Sequence, residues 1–180
     1  MRYDFLVIGG GSAGYAAART AYDYGAKVAV VDGSPELGGL CILKGCMPSK
    51  TLIYSAEALH FARMGSVFGL EIPEAKANLG AMQARKKEVI REFAEYRKGQ
   101  LEDGRFDLHR AMATFVDSHN VKLSDDSVLE AEKILVATGS TVNLPNVPGL
   151  LDVPVRTSDD VLELSELPEE VLVLGGGVVA

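Results

Sequence analysis

Two cysteines, Cys41 and Cys46, stand five positions apart in the run Gly38-Gly39-Leu40-Cys41-Ile42-Leu43-Lys44-Gly45-Cys46-Met47-Pro48-Ser49-Lys50. A bridge across so small a loop restrains the unfolded chain by only about 2 kcal/mol, so a structural staple gains little there. The same closeness suits two sulfurs that open and close. A helix beginning just beyond them favours the thiolate, the reactive form. Zinc needs two further ligands, and His60, His109 and His119 show no metal-like pairing with the cysteines. Two ordinary, unlinked thiols are the plain alternative.

A second set of residues is suited to phosphate. Gly9, Gly11 and Gly14 form a Gly-x-Gly-x-x-Gly run directly after an apolar segment. In such a run the first glycine permits a sharp turn and the second lets a pyrophosphate approach the backbone. The third lets helix and strand pack closely, and the helix start then offers open N–H groups to the anion. Asp32 ends the next apolar segment, where a carboxylate can accept hydrogen bonds from ribose hydroxyls. The spacing points to a dinucleotide without separating FAD from NAD.

Positioning these residues requires a βαβ unit. Residues 3–8 read as a buried parallel strand, 15–22 as a helix of small residues, and 26–32 as a second strand. A helix is expected over 51–63. A longer one is expected over 79–101, with Leu79, Met82, Val89, Ile90, Phe93 and Tyr96 at helical spacing and its charged residues on a solvated face. From residue 106 the pattern turns to strands, at 111–116, 121–123, 128–132 and 133–139. A proline-marked linker and a short helix near 159–164 follow. Residues 171–180 then repeat the opening pattern, an apolar strand before Gly175, Gly177 and Ala180. That repeat leads to the expectation of an N-terminal piece of a longer protein, with one domain over 1–150 and the beginning of a second over 151–180.

The 180 residues carry a net charge of −7 and a pI of about 5.0, which argues against nucleic acid or an anionic membrane as partner. No apolar run has the roughly 18–20 residues of a spanning helix, and the N-terminus lacks a signal-peptide pattern. A cytoplasmic location is the default expectation.

The run from Gly38 to Lys50 resembles the GGxCxxxGCxPSK signature of the group I pyridine nucleotide–disulfide oxidoreductases, which include dihydrolipoamide dehydrogenase, glutathione reductase and mercuric reductase. The resemblance spans the whole chain, including the Ala137-Thr138-Gly139-Ser140 turn and Pro148-Gly149. It implies an α/β fold: a three-layer, Rossmann-like FAD-binding domain with a parallel sheet and a small antiparallel β-meander. It also implies that Gly9, Gly11, Ser12 and Gly14 hold the FAD pyrophosphate and Asp32 the adenosine ribose. Gly33 and Gly39 belong to the same cofactor set, Ala113 to the segment meeting adenine, and Thr138, Gly139 and Ser140 to a flavin-contacting turn.

By the same resemblance Cys46 lies beside the flavin and Cys41 is the interchange thiol, the two forming a redox-active disulfide. Lys50 sits near flavin N5, where its charge favours reduced, anionic flavin. Gly175, Gly177 and Ala180 begin the NAD or NADP site. The substrate is a small-molecule or protein-bound disulfide, and the parent is a homodimer. Leu40 stands where many members have Thr, and Asp32 where Glu is more usual. The family's acid–base His, followed by Glu five residues later, has no match, since Gly65, Thr114 and Ser124 follow the three histidines at that distance. The 180 residues alone are therefore expected not to turn over. The rival reading is a free-standing flavin-binding module whose disulfide senses redox state.

Overall fold

Residues 28–31 are buried at every position, so this strand must be covered on both faces. The computed structural model describes all residues from Met1 to Ala180. Its strands are β1 (Arg2–Ile8), β2 (Val28–Val31), β3 (Asp107–His109), β4 (Ala113–Phe115), β5 (Asn120–Leu123) and β6 (Val128–Val136). Its α-helices are α1 (Ser12–Asp23), α2 (Gly39–Leu43), α3 (Cys46–Arg63), α4 (Leu79–Glu102) and α5 (Ser158–Leu162), with 3-10 turns at Gly65–Phe68 and Leu150–Asp152.

The strands form one sheet of order β3-β2-β1-β6-β5-β4. β3, β2, β1 and β6 run parallel, with Leu6 opposite Ala29 and Ile134, and Val7 opposite Val30 and Leu135. β4 and β5 join antiparallel. β6 serves both parts. Its first residues, Val128 to Glu130, pair antiparallel with β5, while Glu130 to Val136 pair parallel with β1.

Side-chain alternation separates two cores. On one face Val7, Val28 and Val30 pack with Tyr15 and Ala18 of α1, Leu101 of α4, Leu37 and Phe106. On the other, Tyr3, Leu6, Ala29 and Val31 pack with Val121, Leu123, Leu129 and Ala131 of the meander and with Ala111. Helix, parallel strands and meander are thus the three layers of an α/β, Rossmann-like domain. Each fully buried Val or Leu here is worth about 1.5–3 kcal/mol relative to exposure.

Several boundaries differ from the sequence reading. α3 begins at Cys46 rather than at residue 51, because Pro48 falls in the first turn, where no N–H donor is needed. Residues 128–136 make one strand rather than two. Asp107–His109 forms a parallel strand that its few residues did not announce. Residues 171–174 do not pair with any strand and stay exposed. The buried side of α4 carries Lys86, Ala94 and Leu101, while Phe93 and Tyr96 are exposed. Lys86 is 0% exposed, which corrects its assignment to a solvated face. Its ammonium donates to the Leu162 carbonyl and, at 2.5 Å, to Glu163 Oε1.

Contacts divide the chain into two compact units. One comprises residues 1–43 and 90–140, and the other residues 44–89 and 141–180. No helix is long and apolar enough to cross a membrane.

Candidate flavin and dithiol site

The glycines after β1 are fixed by what surrounds them. Gly9 has φ +105°, and a Cβ there would lie 2.3 Å from the Ala137 carbonyl oxygen. A Cβ on Gly14 would lie 1.8 Å from the Gly9 carbonyl oxygen, so the first turn of α1 folds back onto the loop that precedes it. Gly11 and Gly39 meet face to face: a Cβ on Gly39 would lie 2.5 Å from the Gly11 Cα. Only residues without a Cβ allow the backbone segments to approach this closely, and they leave the backbone of the loop bare of side chains.

α1 starts without a cap. Gly11 offers no side chain to the helix N–H groups, and the first turn holds no acidic residue. Ser12, its first residue, is exposed. Open N–H donors and the positive end of the helix dipole together favour an anion.

Asp32 is 5% exposed and ties this loop to β2. Its Oδ2 accepts from the Gly10 N–H at 2.8 Å, and its Oδ1 accepts from the Ser34 N–H at 2.8 Å. Arg110 stands 3.7 Å from the same Oδ1 and also donates to the Ser34 carbonyl. Gly33 lets the Ala111–Met112 segment pass close, since a Cβ would meet Met112 Sδ at 2.5 Å. Neither Gly10 nor Arg110 was singled out in the sequence. Gly10 gave a signal, a fourth glycine inside the run, whereas Arg110 gave none.

Thr138, Gly139 and Ser140 follow β6 and are exposed, with Gly139 at φ +75°. The Thr138 Cα would be 3.2 Å from a Cβ on Gly9, so the turn lies against the glycine loop. Ala113 is half-buried in β4, opposite Leu123. One compact unit therefore holds Gly9, Gly11, Ser12, Gly14, Asp32, Gly33, Gly39, Cys41, Ala113, Thr138, Gly139 and Ser140.

Cys46 and Lys50 belong to the other unit. Cys46 is the first residue of α3 and exposed, after Gly45, which provides no side-chain cap. Lys50 is exposed and lies four residues on, hence on the same helix face. Cys41 is half-buried in α2, and both cysteines are present as thiols. No group of three or more His, Cys, Asp or Glu side chains stands where it could hold a metal ion.

A bare glycine cradle, an uncapped helix start and a buried acid that organises the loop fit the diphosphate and ribose of a dinucleotide. The family model described as pyridine nucleotide-disulphide oxidoreductase matches residues 3–180. The chain belongs to that family. Members of the pyridine nucleotide-disulphide oxidoreductases depend on FAD and use NAD(P)H, and the matched region is the one that binds FAD. Mercuric reductase of Lysinibacillus sphaericus is 34% identical over 178 residues, covering 98% of this chain and 32% of the relative. Dihydrolipoyl dehydrogenase of Chlamydia muridarum is 35% identical over 181 residues, covering 98% of this chain and 39% of the relative. The HOCl-induced flavoprotein disulfide reductase RclA of Escherichia coli superposes with a TM-score of 0.72 at 29% identity, over 92% of this chain and 35% of that one. The chain thus spans between about three and four tenths of the length of these relatives.

Proposed function

We propose that this chain is the FAD-binding part of an NAD(P)H-dependent disulfide oxidoreductase in which Cys41 and Cys46 alternate between a dithiol and a disulfide. The observation that carries it is the placement of Cys46 at an uncapped helix start, with Lys50 one turn along the same face. The N-terminal end of α3 favours a thiolate at Cys46. Lys50 adds a mobile positive charge that suits an electron-rich neighbour. Bound FAD would supply a two-electron carrier between a nicotinamide hydride and sulfur.

The remaining roles belong to the chain's own residues. The open N–H groups of α1 and the bare backbone at Gly9, Gly11 and Gly14 bind the diphosphate. Ser12 presents its hydroxyl at the same helix start. Asp32 orients the loop and accepts from the ribose with its remaining lone pairs. Thr138, Gly139 and Ser140 line the same cradle, and Gly33 and Gly39 let the neighbouring segments close in around it. Ala113 offers its backbone to the adenine. Two electrons and two protons convert the Cys41–Cys46 disulfide to two thiols. Exchange with an external disulfide, small or protein-borne, then begins at Cys41 and returns the pair to the oxidised form.

Residues 1–150 form the FAD-binding domain in this reading, and residues 151–180 lead into the nicotinamide-binding one. The whole enzyme is a cytoplasmic homodimer.

Reconstitution of the protein with FAD tests the proposal. Co-purifying flavin is expected. So is a long-wavelength absorption band on anaerobic reduction with dithionite, present with Cys46 and abolished by Cys46→Ser. A protein that takes up no flavin, or a band indifferent to Cys46→Ser, overturns it.

A further inference from the structure

Arg97 sits on the buried side of α4, between Ala94 and Leu101, and none of the roles above uses it. Its guanidinium carbon lies 4.3 Å from the centre of the Tyr15 ring, and its Nε donates to Gln100 Oε1 at 3.1 Å. Its Nη1 is buried and has no hydrogen-bond partner. Leaving such a donor unmet is costly, and more so when the group is charged. A donor of this kind calls for an acceptor that is present in only some states of the protein.

The neighbouring charges narrow the choice. Arg105, the other cation at Tyr15, is committed: it pairs with Asp103 at 2.6 Å and reaches Tyr15 Oη at 3.3 Å. Arg97 has no carboxylate partner of its own. Burial pulls its guanidinium below the ordinary value, while the negative charges available at Tyr15, Cys41 and Tyr96 oppose that. Tyr15 follows Gly14 on α1, and the Gly11–Gly39 contact lays the start of α2 against the start of α1. Cys41, the only ionisable residue of α2, lies two residues beyond that contact and in the same compact unit as Arg97. Lys44, the next cation along the chain, is paired with Asp159 at 3.3 Å.

We infer that Arg97 is a positioning residue for Cys41, and that its buried, unsatisfied guanidinium edge stabilises the Cys41 thiolate in the reduced pair. The inference rests on the dithiol reading above and adds the reason why Cys41 is the sulfur that attacks. A guanidinium suits the task because it stays charged when desolvated, and its flat face is held by the Tyr15 ring. When the thiol ionises, the proton leaves to solvent and the guanidinium gains a negative charge to offset its own. When the disulfide closes, the charge at Cys41 disappears and with it the electrostatic gain.

The test uses Cys46→Ser, in which Cys41 is the sole thiol, and follows iodoacetamide alkylation against pH. Replacing Arg97 with Met is expected to move the midpoint of the profile up by about one pH unit and to slow alkylation near neutrality several-fold. Arg97→Lys is expected to recover much of the loss, since a cation returns without the planar fork. Circular dichroism checks that each variant is folded, and Arg97→Gln replaces Arg97→Met should the latter not fold. A folded variant whose profile superimposes on that of the Cys46→Ser parent overturns the inference. Thiol titration of the protein with both cysteines keeps the two ideas apart. If oxidation consumes both thiols while Arg97→Met leaves the profile unmoved, the Arg97 inference fails alone. If the pair never closes, the dithiol reading fails and the inference falls with it.

Discussion

Asp32 binds two segments at once, through the Gly10 N–H and the Ser34 N–H, and so it shapes the loop before any ligand arrives. Gly9 and Gly14 share the constraint that their neighbours leave no room for a Cβ, whereas one on Gly11 would meet the Gly39 Cα only at 3.5 Å. Gly14→Ala would drive a methyl into the Gly9 carbonyl, and we expect a loss of about 2–3 kcal/mol in urea unfolding together with loss of flavin binding. Gly25→Ala is the control. Gly25 has φ +84° but nothing within 4 Å, so a cost of about 1 kcal/mol with flavin binding intact is expected. Equal effects from the two substitutions would refute a special role for the loop. Tyr3 offers a pH test. Burial first, then the Asp107 hydrogen bond and charge, push its phenol from the ordinary 10.0 up to about 12. The folded state therefore holds the proton more tightly than the unfolded chain. The resulting stabilisation is complete below about pH 10 and is lost between about 10 and 12, up to roughly 2 kcal/mol. Tyr3→Phe should flatten that decline in chemical denaturation. A slope that persists in the variant would assign it to other groups.

At the scale of elements, the parts legible in the sequence were those fixed by local rules. The strand–glycine–helix–strand unit announces itself because each boundary has its own residue signal. The signature around Cys41 and Cys46 is equally local. What the sequence did not reveal depends on tertiary contact. Of the apolar stripe expected on α4, Leu79, Met82, Val89 and Ile90 are half-buried, but Phe93 and Tyr96 are exposed and Lys86, Ala94 and Leu101 are the buried residues. Lys86 is buried because its ammonium meets the carbonyl end of α5, to which Gln83 also donates at Leu162 and Leu164. At its other end α5 is held by a Thr157–Asp160 capping box. Lys86→Met keeps the apolar stem but removes the donor, leaving the Leu162 carbonyl without the ammonium. Amide exchange in residues 158–164 should then accelerate about 10–100-fold, matching about 1–3 kcal/mol, while β1 and β2 amides stay protected. Unchanged exchange in α5 would mean that its capping box alone holds it.

At the scale of the whole molecule, charge and apolar exposure act against each other. A net charge of −7 keeps copies apart at neutral pH. Val171, Leu172, Val173 and Leu174 are meanwhile exposed, Leu172 at 94%, and belong to neither core. Such a run is adhesive once repulsion is removed. The pI of about 5.0 marks where that happens, so light scattering at constant protein concentration should peak near that pH. At pH 7, added salt should raise scattering by screening the same repulsion over a Debye length of about 10 Å or less. Val171→Asp combined with Val173→Asp should suppress the peak while changing stability by no more than about 0.5 kcal/mol, because neither side chain contributes to a core. If the double variant still scatters strongly near its own isoelectric point, the adhesive surface lies elsewhere, and the exposed residues Ile53, Tyr54, Phe61 and Phe68 of the α3 region become the next to replace.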